Sequence, residues 1–257
     1  MAISNGFSGL IFNNKSSTDL GILIKYPFDP VHAVPDIDLT HIKGRSGDFI
    51  QDNGSYQNVT ETFNCIVERP LNYTQFEWER ELVDWLIAPE VNGKRQYQYL
   101  QFEIDPEYAY NAIVQTMPQF TSDENCPNLA TGQLTFYCEP YLYRVNGINY
   151  IDLPENGVVF NSETRVAIPN WHFVANGSFV LNVNDLNYQF DNMNGEFWLN
   201  GDTGDTYDAK GTLYNNQTHF PNLLPPELPV GENRISIKAA DGVITRAEYM
   251  PRWRRLA

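Results

Sequence analysis

The side chains best able to do chemistry are scattered along this sequence. His32, His41, His172 and His219 lie far apart, and none has a partner at the i, i+4 spacing of a helical metal site. There is no Gly-x-Ser-x-Gly nucleophile elbow, no phosphate-cradling Gly-Lys-Ser/Thr and no helix-opening Gly-x-Gly-x-x-Gly. Asp36 with Asp38, and Glu77 with Glu81, are carboxylate pairs of the type glycoside hydrolysis uses, but a chain with 32 acidic residues offers many such pairs. Asn200-Gly201-Asp202-Thr203-Gly204-Asp205, followed by Asp208, resembles a calcium loop. Gly204, however, occupies a position that must supply an oxygen ligand, so an acidic surface turn is expected. Trp171 and Trp198 are residues that stack on sugars in lectins, although single tryptophans on strands more often belong to a core. Arg252-Trp253-Arg254-Arg255 has the composition of a nucleic-acid hook; in so acidic a chain it reads as the finish of a terminal strand, paired with acidic neighbours. No catalytic, cofactor-binding or metal-ligating residue is assigned, and no cofactor is implied.

Composition narrows the function classes. The 257 residues carry 32 acidic against 17 basic side chains, a formal charge of -15. Gripping phosphates or an anionic membrane needs clustered Lys and Arg, so neither partner is expected. No apolar run approaches a spanning helix, and no export signal stands at the N-terminus. Cys65, Cys126 and Cys138 are odd in number and widely spaced, which predicts the reduced thiols of a cytoplasm.

The elements that must position these residues are mostly strands. Eight Asn-Gly pairs begin at Asn5, Asn53, Asn92, Asn146, Asn156, Asn176, Asn194 and Asn200, and Asp241-Gly242 adds a ninth turn signal. Both residues tolerate positive φ, as hairpin turns demand. Between them, Ser178 to Val183, Arg234 to Lys238 and Val243 to Tyr249 read as antiparallel strands, the second alternating strictly. One helix is predicted over Thr74 to Ile87: Thr74 and Glu77 form a capping box, Pro89 closes the pattern, and Phe76, Trp78, Leu82, Val83, Trp85, Leu86 and Ile87 make a broad apolar stripe. A long hairpin is predicted from Gln96 to Gln115 with its turn at Asp105-Pro106-Glu107; Tyr97 and Tyr99 make one face aromatic, for the core or for a partner. Residues 1–140 carry 19 acidic and 8 basic side chains, net -11, and residues 141–257 carry 13 and 9, net -4. A boundary is placed near Tyr141 to Asn149.

The order of short segments goes further. Phe12-Asn13-Asn14, Asp19-Leu20-Gly21-Ile22, Pro35, Gly44-Arg45-Ser46-Gly47, Tyr56 and Val59 to Val67 come first. Leu134-Thr135-Phe136-Tyr137-Cys138-Glu139-Pro140 and then Phe220-Pro221-Asn222-Leu223, Gly231-Glu232-Asn233 and Pro251-Arg252-Trp253 follow. This set resembles the distal tail proteins (Dit) of long-tailed, non-contractile bacteriophages, the siphovirus-type tail component family, across nearly the whole chain. Ser46, where the family often has an acidic residue, and the long Pro225-Pro226 loop are local departures.

The resemblance implies a mainly β fold: an N-terminal β-sandwich with one α-helix and a long β-hairpin over 1–142, the belt domain, then a galectin-like C-terminal β-sandwich over 143–257. It implies a non-enzymatic homo-hexamer at the virion tail tip, assembled in the host bacterial cytoplasm. The belts would line a central channel through which DNA passes, and the second domains would project outward. The partners would be the tail tube (major tail) protein, the tail-associated lysin or tail fibre protein, and receptor-binding or baseplate proteins. Acidic channel walls would not trap DNA. Tyr97 and Tyr99 on the hairpin and Trp78 and Trp85 on the helix are the candidate oligomer interface. Two rival functions are a carbohydrate-binding adhesion module working through Trp171 or Trp198, and a cell-wall hydrolase using two carboxylates; the galectin sugar motif is missing, which leaves galectin-like as a fold statement.

Overall fold

Strict alternation builds the first sheet. The computed structural model describes residues 6–87, 89–91 and 94–257, and the chain divides into one unit that runs to Leu142 and takes back Leu256–Ala257 and another spanning Tyr143–Arg255. The first unit begins with β1 (Phe7–Ser8), β2 (Leu10–Phe12), β3 (Lys15–Ser16) and β4 (Ile22–Lys25), then β5 (Pro35–Thr40), β6 (Phe49–Tyr56) and β7 (Val59–Glu68). After α1 (Gln75–Leu86) come β8 (Glu90–Val91), β9 (Lys94–Arg95), β10 (Gln98–Phe102), β11 (Asp105–Ile113), β12 (Thr121–Ser122) and β13 (Leu129–Arg144). Along β7 every second residue, from Val59 to Val67, is buried, and ten consecutive register pairs tie it to β13.

The order β1-β4-β7-β13-β11-β10-β2-β3 is one curled sheet, a half-barrel, where two stacked sheets were expected. Curling is visible in ring contacts between strands that are not neighbours. Phe63 on β7 lies 5.3 Å from Phe102 on β10, and Phe12 on β2 lies 5.1 Å from Phe136 on β13. Burying both ends of one sheet against each other encloses apolar surface without a second sheet.

The helix closes the core as its pattern requires. Thr74 and Glu77 make the predicted capping box, and Trp78, Leu82, Trp85 and Leu86 are buried. Phe76 and Val83 are exposed, so the buried stripe is narrower than the apolar stripe in the sequence. The hairpin β10–β11 forms, but its turn is Glu103-Ile104 and not Asp105-Pro106-Glu107. The register slips after Gln101, so that Phe102 faces Asp105 and the proline, which has no N–H to give a ladder, falls in the irregular stretch. Gln101 Nε2 donates to the Pro106 carbonyl at 2.9 Å there.

The second unit contains β14 (Ile151–Asp152), β15 (Val158–Asn161), β16 (Asn170–Val183), β17 (Leu186–Leu199), β18 (Thr206–Asp208), β19 (Thr218–His219), β20 (Gly231–Ala239) and β21 (Val243–Met250). Its long hairpin β16–β17 turns at Asn184-Asp185, both at positive φ, while the Asn-Gly pairs at 176 and 194 lie inside the strands. Gly177, at φ +111, marks a register break where β16 exchanges β21 for β20 as its neighbour. Asn53-Gly54 is also within a strand, Asp241-Gly242 is the predicted turn, and Asn5 and Asn92-Gly93 lie outside the described residues. Phe173, Phe179, Phe190 and Phe197 meet around the break, with Phe179 and Phe190 stacked at 4.7 Å. The terminal strand β22 (Arg254–Leu256) pairs β13.

Candidate functional site

Each group with catalytic potential has structural work. Asp36 accepts from the Ser55 hydroxyl and Asp38 from Asn53 Nδ2, both on exposed strands. Glu77 caps the helix, which holds its carboxyl below the usual range, and Glu81 pairs with Lys15 Nζ at 3.0 Å. In the 200–208 turn, Asn200 Oδ1 accepts from the backbone of Asp202 and Thr203, and Asp208 Oδ1 from Lys210 and Thr212. Asp202 pairs with Arg252, and Asp205 Oδ1 accepts from Asn215 Nδ2 at 2.8 Å. Among the described residues no group of three or more His, Cys, Asp or Glu could hold a metal, and no helix is long and apolar enough to cross a membrane.

His172 is the most enclosed of the histidines. Its Nδ1 lies 2.6 Å from Glu248 Oε2 and its Nε2 2.9 Å from Glu196 Oε1, joining β21, β16 and β17. His172 also stacks on Trp198 at 4.8 Å, and Tyr207 lies over Trp198 from the next strand at 6.3 Å. Both π-faces of Trp198 are therefore covered, and Trp171 is fully buried. Neither tryptophan offers the free ring that sugar stacking requires. The basic cluster near the C-terminus is engaged within the chain: Arg252 is buried and pairs with Asp202, and Arg144 and Arg255 each reach the buried Glu163 at 2.7 Å.

The residues expected at an oligomer interface divide in two. Trp78 and Trp85 are 1% and 2% exposed, and their indole N–H groups donate at 2.8 Å to the carbonyls of Leu20 and Phe12. They are core residues, because each ring is needed to seal the helix to its own sheet; they cannot face a neighbour. Tyr97 and Tyr99 are half-buried, with Tyr97 Oη accepting from Asn58 Nδ2 at 3.4 Å.

A different segment is displayed. Among the described residues β5 and β6 pair only with each other, forming a two-stranded arm from Pro35 to Tyr56. Leu39 and Ile50 are cross-strand partners, 61% and 62% exposed, and Ile37, Ile42 and Phe49 are exposed as well. A lone hairpin is marginal in water, and its free edges invite pairing. Alternation in the sequence carried this signal, since Ile37 and Leu39 flank Asp38, but the same pattern also marks a strand that is half buried.

Glu61 holds the segment that precedes the arm. This inward residue of β7 accepts from the Val31 backbone N–H at 3.0 Å and the Tyr110 hydroxyl at 3.1 Å. Burial raises the Glu61 carboxyl above its ordinary range, against the Val31 hydrogen bond, and burial likewise raises the Tyr110 phenol. Burial pushes the Cys65 thiol up to about 12 and raises Cys138, leaving both as inert small apolar groups.

The architecture has close counterparts. The crystal structure of SPP1 Dit (gp 19.1) matches 95% of this chain over 97% of its own, with a TM-score of 0.55 at 14% identity. Its fold is Dit-like. The phage P2 baseplate in its activated conformation with Ca matches 98% of the chain over 98% of its own, with a TM-score of 0.54 at 9% identity. Its form with Sr matches 97% over 98%, with a TM-score of 0.53 at 10% identity. SPP1 Dit is described as a paradigm of the hub adsorption apparatus in phages infecting Gram-positive bacteria. No protein-family model and no curated protein sequence matches the chain.

Proposed function

We propose that this Dit-like chain is a structural hub of a bacteriophage tail tip, without catalysis of its own. The observation that carries this reading is the match over 95% and 98% of the chain to SPP1 Dit and the P2 baseplate, covering 97% and 98% of those chains. In this reading six copies close into a ring around a DNA channel, joining the tail tube to the lysin or fibre protein and to receptor-binding proteins. The unit through Leu142 is the belt and Tyr143–Arg255 the galectin-like domain. A ring needs one head-to-tail contact repeated until it closes, and the exposed arm is the segment suited to make it. Six copies of a 29.5 kDa chain give 6 × 29.5 = 177 kDa. Native mass spectrometry on the purified chain, with negative-stain imaging, is expected to show that mass and ring-shaped particles. A chain that stays at 29.5 kDa at high concentration overturns self-assembly, and a basic lumen in a ring overturns the acidic-channel expectation.

A further inference from the structure

The arm has a complement on its own unit. The outer face of β4, β7 and β13 carries a concavity of about 460 Å³, lined by Phe7, Lys25, Asn64, Ile66, Thr131 and Gln133 among others. A second, of about 380 Å³, adjoins it across Thr131, Gly132 and Gln133 and reaches Met117 and Pro118. Leu23 and Ile66, cross-strand partners on this face, are both exposed. In a chain of net charge -15, no carboxylate lines either hollow among the described residues, and Lys25 is the charged group there.

The arm has the opposite character. Cross-strand pairs share a face, so Ile37, Leu39, Ile50 and Asp52 lie together on one side. Asp48, next to the tip, meets His41 at 3.1 Å. Residues 35–56 hold four aspartates against Lys43 and Arg45, net -2. The arm thus offers aliphatic knobs flanked by carboxylates, and the groove offers an acid-free hollow with Phe7 and Ile66 set among neutral polar side chains and Lys25 at its rim.

We propose that the groove over β4, β7 and β13 receives the Ile37, Leu39 and Ile50 face of the arm from a second copy of the chain, with Lys25 meeting an arm aspartate. This rests on the ring reading above and names the acceptor for its head-to-tail contact. Docking removes the arm's aliphatic residues from water, and it places an acidic segment on the part of an acidic unit that repels it least.

The test is site-specific photo-crosslinking of the full chain carrying Leu39→benzoylphenylalanine, with native mass measured on the same sample. Adducts mapped to 23–25, 64–66 or 131–133 of another copy are the expected result. A ring of six whose adducts map elsewhere overturns this acceptor and leaves the hub reading standing. A chain that remains a monomer overturns both. Lys25→Glu is expected to weaken association about threefold, the scale of a partly exposed ion pair; unchanged association with adducts outside the groove overturns the contact.

Discussion

The hairpins β10–β11 and β5–β6 belong to the same unit and are built from similar residues, yet their surroundings are opposite. Strand β10 is paired on both sides, with β11 and with β2, and Leu100 at its centre has no exposure. Neither β5 nor β6 has an outer neighbour among the described residues, and Leu39 stands in solvent. Glu61 accepts from Tyr110 on β11 and from Val31, four residues before β5. One hairpin is built into the core, and the other leaves its aliphatic residues in water. A hydrophobic residue contributes to folding only where the tertiary structure removes it from water.

Identical substitutions make the comparison measurable. Leu100→Ala empties a closed site and is expected to cost about 2–5 kcal/mol in denaturant unfolding. Glu61→Gln keeps an acceptor for Val31 and removes a carboxylate whose folded-state titration is raised by burial. The folded chain binds that proton more tightly than the unfolded one, so wild-type stability falls as pH rises from the unfolded carboxylate range through the raised folded value. The gap in favour of Glu61→Gln is therefore expected to widen from acid toward neutral pH in paired urea titrations; a pH-independent gap would show that burial does not perturb Glu61. Thr74→Ala removes the helix cap and is expected to lower stability by about 1 kcal/mol by the same measurement. Leu39→Ala should change unfolding by less than about 0.5 kcal/mol, as surface substitutions do, while reducing the 177 kDa species (6 × 29.5) in native mass spectra. If Leu39→Ala proved as destabilising as Leu100→Ala, the arm would be part of the core and the contrast would collapse.

Much of this was legible beforehand, and the exceptions share a cause. The capping box at Thr74 and Glu77 is a local signal, so the helix could be read directly. The strand Arg234 to Lys238 alternates as expected because one face of β20 is buried. The hairpin turn at Glu103-Ile104 was misplaced because Asp105-Pro106-Glu107 carries stronger turn chemistry, and pairing with β2 and β11 overrode it. The aromatic stripe of Trp78 and Trp85 looks the same in sequence whether it meets its own sheet or a neighbour's. The arm is hidden for the same reason, since its alternation is that of any half-buried strand.

Features that depend on neighbours along the chain could be read from the residues alone: the β class, the capped helix, the alternating strands, and the absence of any familiar catalytic motif. The order of its short segments also carried the resemblance to Dit, which the fold match supports at 14% identity. Which apolar faces are buried and which stay in water is settled by how the sheet curls. Curling one sheet brings Phe63 to Phe102 and Phe12 to Phe136, pairs separated by intervening strands, and so closes a core that excludes the arm. Burial is a property of where the rest of the chain goes, and no window of sequence contains it.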